Sequence, residues 1–330
     1  MKSYRVIIRP QTAFATPLVG DTLFGQICWA IVELFGESRL EHCLEGYLND
    51  APFMVVSNAF IMDHLLLPTI PSFYWNNTKN VDRKVLKGKQ WVDEQTLLNS
   101  ASVDWQQEAK SNSDIAQAWL TAEQKLLGMA PKKLQEIATQ MHNTLNRQSG
   151  STGTGQFAPY ESSLTWFHPD LTWQIYILLR EDALSESELQ QVLTHVGTMG
   201  YGRDASIGLG KFHILSIEQR ELPQTSGDHN AYMTLANSCV QGSFFINNRS
   251  FYLTHTRFGR HGNLMATSGV PFKKPILMAG ASGVFAPEHY ESRQFIGQGV
   301  SGISIDQRTV HQGYAPVIGV EIDYSRFDKA

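Results

Sequence analysis

Met199 to Phe212 reads M-G-Y-G-R-D-A-S-I-G-L-G-K-F and combines four glycines with a tyrosine, a serine and two cations. Glycine has no Cβ, so such a stretch can adopt positive φ and let another backbone approach closely. Its N–H groups can then converge on an anion, and an arginine can hold a phosphate through two hydrogen bonds. We therefore expect a phosphate-facing loop, and the alternative is a glycine-rich turn without a ligand. The residues concerned are Gly200, Tyr201, Gly202, Arg203, Ser206, Gly208, Gly210 and Lys211.

Length and composition set the limits for the rest of the chain. With 330 residues, of which 42% are hydrophobic, it has room for two domains. The net charge is −4, so a nucleic-acid surface would have to be local. Three cysteines without Cys-x-x-Cys spacing argue against a disulfide framework and a structural zinc site, and we expect no cofactor. Neither a signal peptide nor a membrane-spanning apolar run is visible, so we expect a cytoplasmic protein with no membrane partner.

The elements on either side of the glycine-rich stretch predict a β-α-β-β-α-β order, which is the ferredoxin-like or RRM-like pattern. Asp21 is placed to cap the first helix, and apolar residues at helical spacing, including Leu34, predict its core-facing side. A polar segment, 76–130, reads as an insertion. The first domain is thus expected over residues 1–220. Its elements are strand 4–10, helix 21–35, strand 53–57, a short helix 131–139, strands 161–167 and 172–179, helix 185–196 and strand 211–217.

A second domain is expected over residues 221–330, after a polar linker. Its strands are predicted near 232–235, 250–257, 275–279 and 315–324, and its helical periodicity is weaker. We interpret it as a degenerate copy of the first domain. The predicted fold class is therefore α+β, with two ferredoxin-like (RRM-like) domains and a polar, helical insertion in the first.

A second glycine-rich and hydroxyl-rich stretch spans residues 142–155 and carries an arginine. Elsewhere, Gly25 lies inside the predicted first helix, where a glycine often marks close approach of another backbone. Ordinary helix packing explains Gly25 equally well. Phe157, Tyr201 and Tyr314 are candidates for stacking with bases. Outside the first loop, the candidates for contact with a nucleic acid are Asp21, Gly25, His142, Asn143, Asn146, Arg147, Ser149, Gly150, Thr152, Lys273, Lys274, Arg308 and Tyr314.

Taken together, these motifs resemble the RAMP superfamily of CRISPR proteins, and within it the Csm-type effector subunits of type III-A complexes. The resemblance rests on the order of five segments: 17–25 (PLVGDTLFG), 142–150, 200–212, 272–275 (FKKP) and 313–316 (GYAP). It does not extend to residues 76–130. Ser149 stands where an Arg-x-Thr-Gly pattern would have threonine. This is a mild departure, because serine also carries a hydroxyl.

The resemblance implies two RRM-like domains and a non-catalytic role in antiviral defence. A subunit of this kind caps the 5′ handle of crRNA. It contacts the large polymerase-like subunit and the backbone RAMP subunit, and meets target RNA only indirectly.

Two other functional classes remain as alternatives. A metal-independent endoribonuclease that processes crRNA precursor needs an acid/base pair at the scissile phosphate. His142 and His311 lie in candidate RNA-facing stretches, but the chain has no histidine between its first strand and Asp21. A P-loop is disfavoured because Lys211 is followed by Phe212 rather than Ser or Thr. A protein-interaction module would differ from an RNA binder in lacking salt-sensitive RNA affinity.

Overall fold

A computed structural model describes residues 1–76, 82–240, 244–262 and 271–327, and every statement of absence below refers to these residues. It contains eight α-helices: α1 Gly20–Phe35, α2 Glu37–Leu44, α3 Arg83–Gly88, α4 Glu94–Asn99, α5 Trp105–Glu108, α6 Asn112–Ala118, α7 Ala122–Leu126 and α8 Glu186–Met199. None of the described helices is long and apolar enough to cross a membrane.

The described residues also contain fifteen strands. They are β1 Lys2–Pro10, β2 Met54–Val56, β3 Phe60–Ile61, β4 His64–Leu66, β5 Trp91–Asp93, β6 Gln135–His142, β7 Tyr160–Phe167, β8 Trp173–Leu179, β9 Phe212–Gln219, β10 Ala231–Thr234, β11 Thr254–Arg257, β12 Ile276–Ala279, β13 Val284–Phe285, β14 Phe295–Val300 and β15 His311–Val320. All pairings between these strands are antiparallel, so the molecule is an α+β protein built from several small antiparallel sheets.

The first sheet has the strand order β2-β8-β1-β9, with β3 also paired to β8. Helix α1 connects β1 to β2, and α8 connects β8 to β9. Alternate residues of β1, including Val6 and Ile8, are buried on the side where α8 packs, since Gly197 of α8 lies against Phe212 of β9. Burial of this apolar side is the main force that holds the helices to the sheet.

The opposite face of the first sheet is covered by the predicted insertion. The Tyr176 hydroxyl on β8 donates to Glu94 at 2.9 Å, and Arg220 pairs with the same carboxylate at 2.6 Å. Trp91, Leu97 and other apolar residues of the insertion join the core. In single-domain RRM proteins RNA lies on this open sheet face. Here the insertion occupies that face, so the residues beneath it are not open to a ligand.

The second sheet has the order β13-β10-β15-β14 and lies against the first. Gln312 of β15 is fully buried, and its amide makes two 2.8 Å hydrogen bonds with the backbone of Val56 on the edge strand β2. One apolar cluster runs from Tyr4 to Ile322 and includes residues of both predicted domains. Two strands of this half, β13 and β14, were not predicted, and beyond Gln219 the described residues contain no α-helix.

Three local predictions are wrong. Helix α1 begins at Gly20 with Val19 at the N-cap, so Asp21 lies inside the first turn instead of capping it. A Cβ on Gly20 would be 2.2 Å from the Val56 carbonyl oxygen, which explains the glycine. Leu34 is 40% exposed and does not belong to the buried side of α1.

The third wrong prediction is the short helix over 131–139. This segment leads into the strand β6, which pairs with β7 over its full length, from Gln135 opposite Phe167 to His142 opposite Tyr160. The two predicted neighbouring strands, β7 and β8, therefore do not pair with each other: β8 lies between β1 and β2. Tertiary pairing of β6 with β7 overrides the local helical pattern.

Candidate nucleic-acid interface

The glycine-rich loop, residues 200–211, closes on itself at a narrow neck. The Tyr201 amide donates to the Gly210 carbonyl at 2.9 Å, and the Gly210 amide donates to Ala13 at 2.8 Å. A Cβ on Gly210 would be 2.1 Å from the Tyr201 carbonyl oxygen, and one on Gly200 would be 2.3 Å from that of Leu209. Both glycines also have positive φ. The neck thus requires glycine for space and for backbone conformation.

The loop is fastened to the connection between β1 and α1. The Arg203 and Lys211 amides each donate to a threonine hydroxyl, on Thr16 and Thr12 respectively, at 2.9 Å. The Tyr201 hydroxyl donates to the Pro17 carbonyl at 2.7 Å and accepts from the Val19 amide. The loop, this connection and the start of α1 therefore form one rigid unit.

Hydrogen bonds within the protein also occupy the far side of the loop. The amides of Ile207, Gly208 and Leu209 donate to carbonyls of Asp204 and Ala205. The expectation that the loop presents a concave set of free N–H groups to an anion is therefore wrong for most of its amides. Side chains remain for contact with a ligand. Arg203 is about half exposed, with Nε 3.2 Å from Asp204 and Nη2 donating to the Ser163 carbonyl on β7. Ser206 is exposed.

Further cations lie where the loop joins β9, at the end of the β1–β9 pair. Lys211 is half-buried and makes no ion pair with any described residue. Arg9 is exposed and lies opposite His213 in the β1–β9 register, while the Gln11 amide donates to the Lys211 carbonyl just beyond them. Arg9 and His213 were not predicted. The signal that would have found them is the strand register, which brings the last residues of β1 beside the first residues of β9.

Two predicted stacking residues are not available to bases in this structure. Tyr201 and Tyr314 are fully buried, and the Tyr314 hydroxyl donates to the Tyr47 carbonyl at 2.8 Å. Burial raises the pKa of both hydroxyls. Stacking needs an open ring face, so the prediction that Tyr201 and Tyr314 stack with bases is wrong. Both are core residues: Tyr201 positions the loop, and Tyr314 packs in the core beside Tyr47. Phe157 is half-buried.

The second glycine-rich stretch forms the tip of the β6–β7 hairpin. Its candidate residues Asn143, Arg147, Ser149, Gly150 and Thr152 are exposed, and Asn146 bridges to Ser151. His142 is held by Ser162, 2.8 Å from Nε2, and its ring stacks on Tyr160 with a centroid distance of 5.0 Å. The base of the hairpin contacts the connection between β1 and α1, since Phe14 of that connection forms a β-bridge with Thr165 of β7. The glycine-rich tip lies beyond the His142–Tyr160 pair, at the other end of the hairpin.

Asp21 belongs to a buried charged cluster at the start of α1. Its carboxylate is completely shielded from solvent and lies 2.8 Å from Arg257 Nε and 3.6 Å from His311 Nε2. Burial lowers the pKa of His311 to about 4, with Lys273 and Arg257 acting in the same direction against the attraction of Asp21. Burial also lowers the pKa of Lys273. Asp21 and Lys273 are therefore joined in a structural cluster, while the neighbouring Lys274 is exposed.

The remaining predicted residues lie apart from the loop. Arg308 is exposed but contacts three carboxylates: Glu37 at 2.7 Å, Asp306 at 3.1 Å and Glu41 at 3.5 Å. Hydrogen bonding to Asp306 and Glu37 raises the pKa of Arg308. Its charge is thus locally balanced, which makes it a poor phosphate ligand in this conformation. No atom approaches within 4 Å of a Cβ placed on Gly25, so close backbone approach does not explain that glycine.

Comparisons with known proteins find likeness in structure alone. No family model matches the chain, and no curated protein matches it in sequence. A chain of the Csm3–Csm4 subcomplex in the type III-A CRISPR-Cas interference complex matches with a TM-score of 0.59 and 14% identity, over 97% of this chain and 100% of that one. Chains of the Csm1–Csm4 cassette in complex with AMPPNP and with pppApA match with TM-scores of 0.53 and 0.52, each at 12% identity over 98% of this chain and 99% of the other.

Csm4 is the component that these complexes share. The match runs along nearly the whole chain, including residues 76–130, where the motifs alone showed no resemblance. At these identities the likeness concerns the fold. The resemblance to a type III-A RAMP subunit is confirmed at that level: the chain is similar in fold to Csm4.

Proposed function

We propose that this chain is a non-catalytic, crRNA-binding subunit of a type III-A CRISPR effector complex, acting in the cytoplasm in antiviral defence. In this proposal it caps the 5′ handle and contacts the large polymerase-like subunit and the backbone RAMP subunit. The fold likeness to chains of the Csm1–Csm4 and Csm3–Csm4 complexes supports both partner assignments.

The proposal includes two ferredoxin-like domains, over residues 1–220 and 221–330. The first is supported by the strand order β2-β8-β1-β9 with α1 and α8 as the two connecting helices. In the second, β10, β13, β14 and β15 provide the sheet, and the lack of an α-helix among its described residues makes it a degenerate copy. The buried Gln312–Val56 contact joins the two halves, which suits a subunit that acts as one rigid cap.

The observation that carries the proposal is the fastened glycine-rich loop. It holds Arg203 and Lys211 at a fixed position beside Arg9, at the end of the first sheet and next to the β6–β7 hairpin. Cations on a rigid backbone can follow the phosphates of a single strand without reordering, so little conformational entropy is lost on binding. Because α8 packs on one face of the first sheet and the insertion covers the other, this end of the sheet is the surface that we assign to RNA.

Copurification of the tagged chain with the products of neighbouring genes tests the proposal. We expect small RNAs that share a common 5′ end among the bound nucleic acid, and we expect Arg203→Ala with Lys211→Ala to reduce their yield. Lys125→Ala, on the exposed surface of α7, is the matched control. Protein complexes without RNA, or RNA with heterogeneous 5′ ends, would contradict handle capping.

The absence of catalysis is tested separately. Purified chain incubated with labelled repeat RNA in the absence of divalent metal should leave the RNA intact. Site-specific cleavage that is abolished by His142→Ala would instead support the endoribonuclease alternative.

A further inference from the structure

The hairpin formed by β11 and β12, here called the basic arm (residues 251–262 and 271–279), is unusual in charge. No aspartate or glutamate occurs between Asp228 and Glu288, while five Lys or Arg residues do: Arg249, Arg257, Arg260, Lys273 and Lys274. Since the whole chain carries a net charge of −4, this region departs strongly from the rest. A stretch of chain that carries cations and no acids favours a polyanionic partner.

The inner side of the basic arm fastens it to α1. Arg257 pairs with Asp21 and donates to the Thr22 hydroxyl, and Met278 is almost completely buried. Gly262 lies against the Trp29 indole, where a Cβ would be 3.0 Å from Nε1. The arm is therefore held at a fixed position, with its outer side directed away from the molecule.

The outer side exposes large apolar groups beside cations. Phe258 and Phe272 are 71% and 65% exposed, respectively, and Leu277 is 68% exposed. The Arg260 guanidinium lies over the Phe272 ring at 5.7 Å, and Arg260 bridges to Phe272 across the hairpin. Lys274 is exposed and makes no ion pair with any described residue. Asp306, the acid that acts on the neighbouring His261, is hydrogen-bonded to Arg308, and Asp21 lies on the inner side, paired with Arg257.

Exposed rings that alternate with cations are the arrangement by which proteins bind single-stranded nucleic acids: bases stack on the rings while cations follow the backbone. A guanidinium over a ring extends the stacking plane. A protein partner would also suit the phenylalanines and arginine, but protein interfaces are depleted in lysine. The absence of acids from residues 229–287 further suits a polyanion. The chemistry of the arm therefore favours RNA over protein.

We propose that the basic arm is a second RNA contact of this chain, in which Phe258 and Phe272 stack with bases of single-stranded RNA and Lys274 holds a phosphate. The proposal rests on the proposed function in so far as both require an RNA-binding chain. It differs in assigning base stacking to the arm and phosphate contacts to the glycine-rich loop.

The test compares two fluorescent RNAs of about twelve nucleotides, a length within the site sizes of single-strand binders. One is oligouridine and the other has the same backbone with abasic positions. Using the full-length chain, we expect Phe258→Ala and Phe272→Ala each to weaken oligouridine binding roughly five- to a hundredfold, the range for loss of one stacked base. Neither variant should change affinity for abasic RNA, and Phe258→Tyr, which retains a ring, should restore binding.

Leu277→Ala is the matched control, since it removes an equally exposed apolar group from the same hairpin without removing a ring. It should leave oligouridine affinity unchanged. An equal loss in all three alanine variants, or a loss of partner proteins with unchanged RNA affinity, would overturn the proposal in favour of a protein-docking surface. Equal losses on abasic RNA would overturn it as well.

Failure of this inference can be distinguished from failure of the proposed function. If Arg203→Ala and Lys211→Ala weaken binding of both RNAs while the phenylalanine variants have no effect, the arm proposal fails and the loop assignment stands. If the phenylalanine variants weaken only oligouridine binding and the loop variants have no effect, the arm proposal stands and the loop assignment fails. If the unmodified chain binds neither RNA, both fail.

Discussion

The two glycine-rich stretches have similar compositions and very different surroundings. In residues 200–211 the two glycines at the neck meet other backbone atoms: a Cβ on Gly210 or Gly200 would lie within 2.3 Å of a carbonyl oxygen. At the tip of the β6–β7 hairpin, a Cβ on Gly150, Gly153 or Gly155 would have no atom within 4 Å. The first stretch is fixed by the fold, while the second is an open surface. Glycine content alone therefore does not distinguish a scaffold from a ligand-facing tip.

The largest difference between the two stretches should be in stability. Gly210→Ala places a Cβ 2.1 Å from the Tyr201 carbonyl oxygen at a φ of 72°. Backbone strain and overpacking together should cost about 2–5 kcal/mol of unfolding free energy. Gly150→Ala has a similar φ, 66°, but open space, so it should cost only about 1 kcal/mol. Urea denaturation of the two variants measures the difference, and equal losses would show that the neck is not the constraint.

The buried cluster of Asp21, Arg257 and His311 at the start of α1 should make the free energy of unfolding depend on pH. The pKa of His311 is lowered to about 4, so its neutral form is favoured in the folded chain. The unfolded chain binds this proton at higher pH, near its usual pKa of about 6.5, so the contribution is present above pH 6.5 and is lost as pH falls toward 4. We expect a loss of about 2 kcal/mol between pH 7 and pH 5.

Replacement of His311 with glutamine, which does not titrate, should flatten this part of the stability–pH profile. The measurement is the urea midpoint at several pH values for both proteins. Parallel profiles would mean that His311 is not the titrating group in this window.

A smaller effect is expected from the hydroxyl that fastens the loop to α1. Tyr201→Phe keeps the buried ring but removes the bond to the Pro17 carbonyl and leaves the Val19 amide without that acceptor. The expected cost is about 1–2 kcal/mol. Tyr160→Phe, at an exposed position of the β6–β7 hairpin, is the control and should be nearly neutral. Thermal denaturation of both variants checks this, and equal midpoints would contradict a fastening role for Tyr201.

The sequence predicted the framework of the first sheet well because its signals are local. Apolar residues at strand and helix spacing predict β1, α1, β8, α8 and β9 to within a few residues. The candidate glycine-rich loop was likewise found from composition. The sequence did not predict which distant residues each side chain or strand would contact.

The failures concern contacts between residues distant in the chain. Asp21 fits an N-cap pattern, but Arg257 and His311, more than two hundred positions away, make it a buried ion-pair residue. Tyr314 looks like a stacking residue until β15 is packed against Tyr47. The β6 strand was read as a helix because only its pairing with β7 decides its conformation. Arg9 became a candidate only through the strand register.

The salt dependence of RNA affinity should show whether the loop or the tip contacts phosphates. If Arg203 and Lys211 contact phosphates, their alanine variants should lower the slope of log affinity against log salt by about 0.7 per contact, similarly for every RNA sequence. Arg147→Ala tests the open tip in the same way. Handle-RNA affinity at several salt concentrations is the measurement. Unchanged slopes in all three variants would show that these side chains do not contact phosphates and that both stretches have only a structural role.

The smallest effect is expected from Gly153→Ala at the open tip, and it is informative because it should be absent from the free chain. Gly153 does not have positive φ, and no atom lies within 4 Å of its Cβ position, so stability should change by less than about 0.5 kcal/mol. In the assembled complex the same methyl group would meet whatever lies against the tip. A variant with an unchanged melting temperature that assembles poorly, or binds handle RNA less well, would show that the tip is a contact surface. Unchanged assembly and binding would leave the fastened loop as the interface at this end of the sheet. A melting temperature lowered as far as that of Gly210→Ala would contradict the comparison itself, because the tip would then be as constrained as the neck.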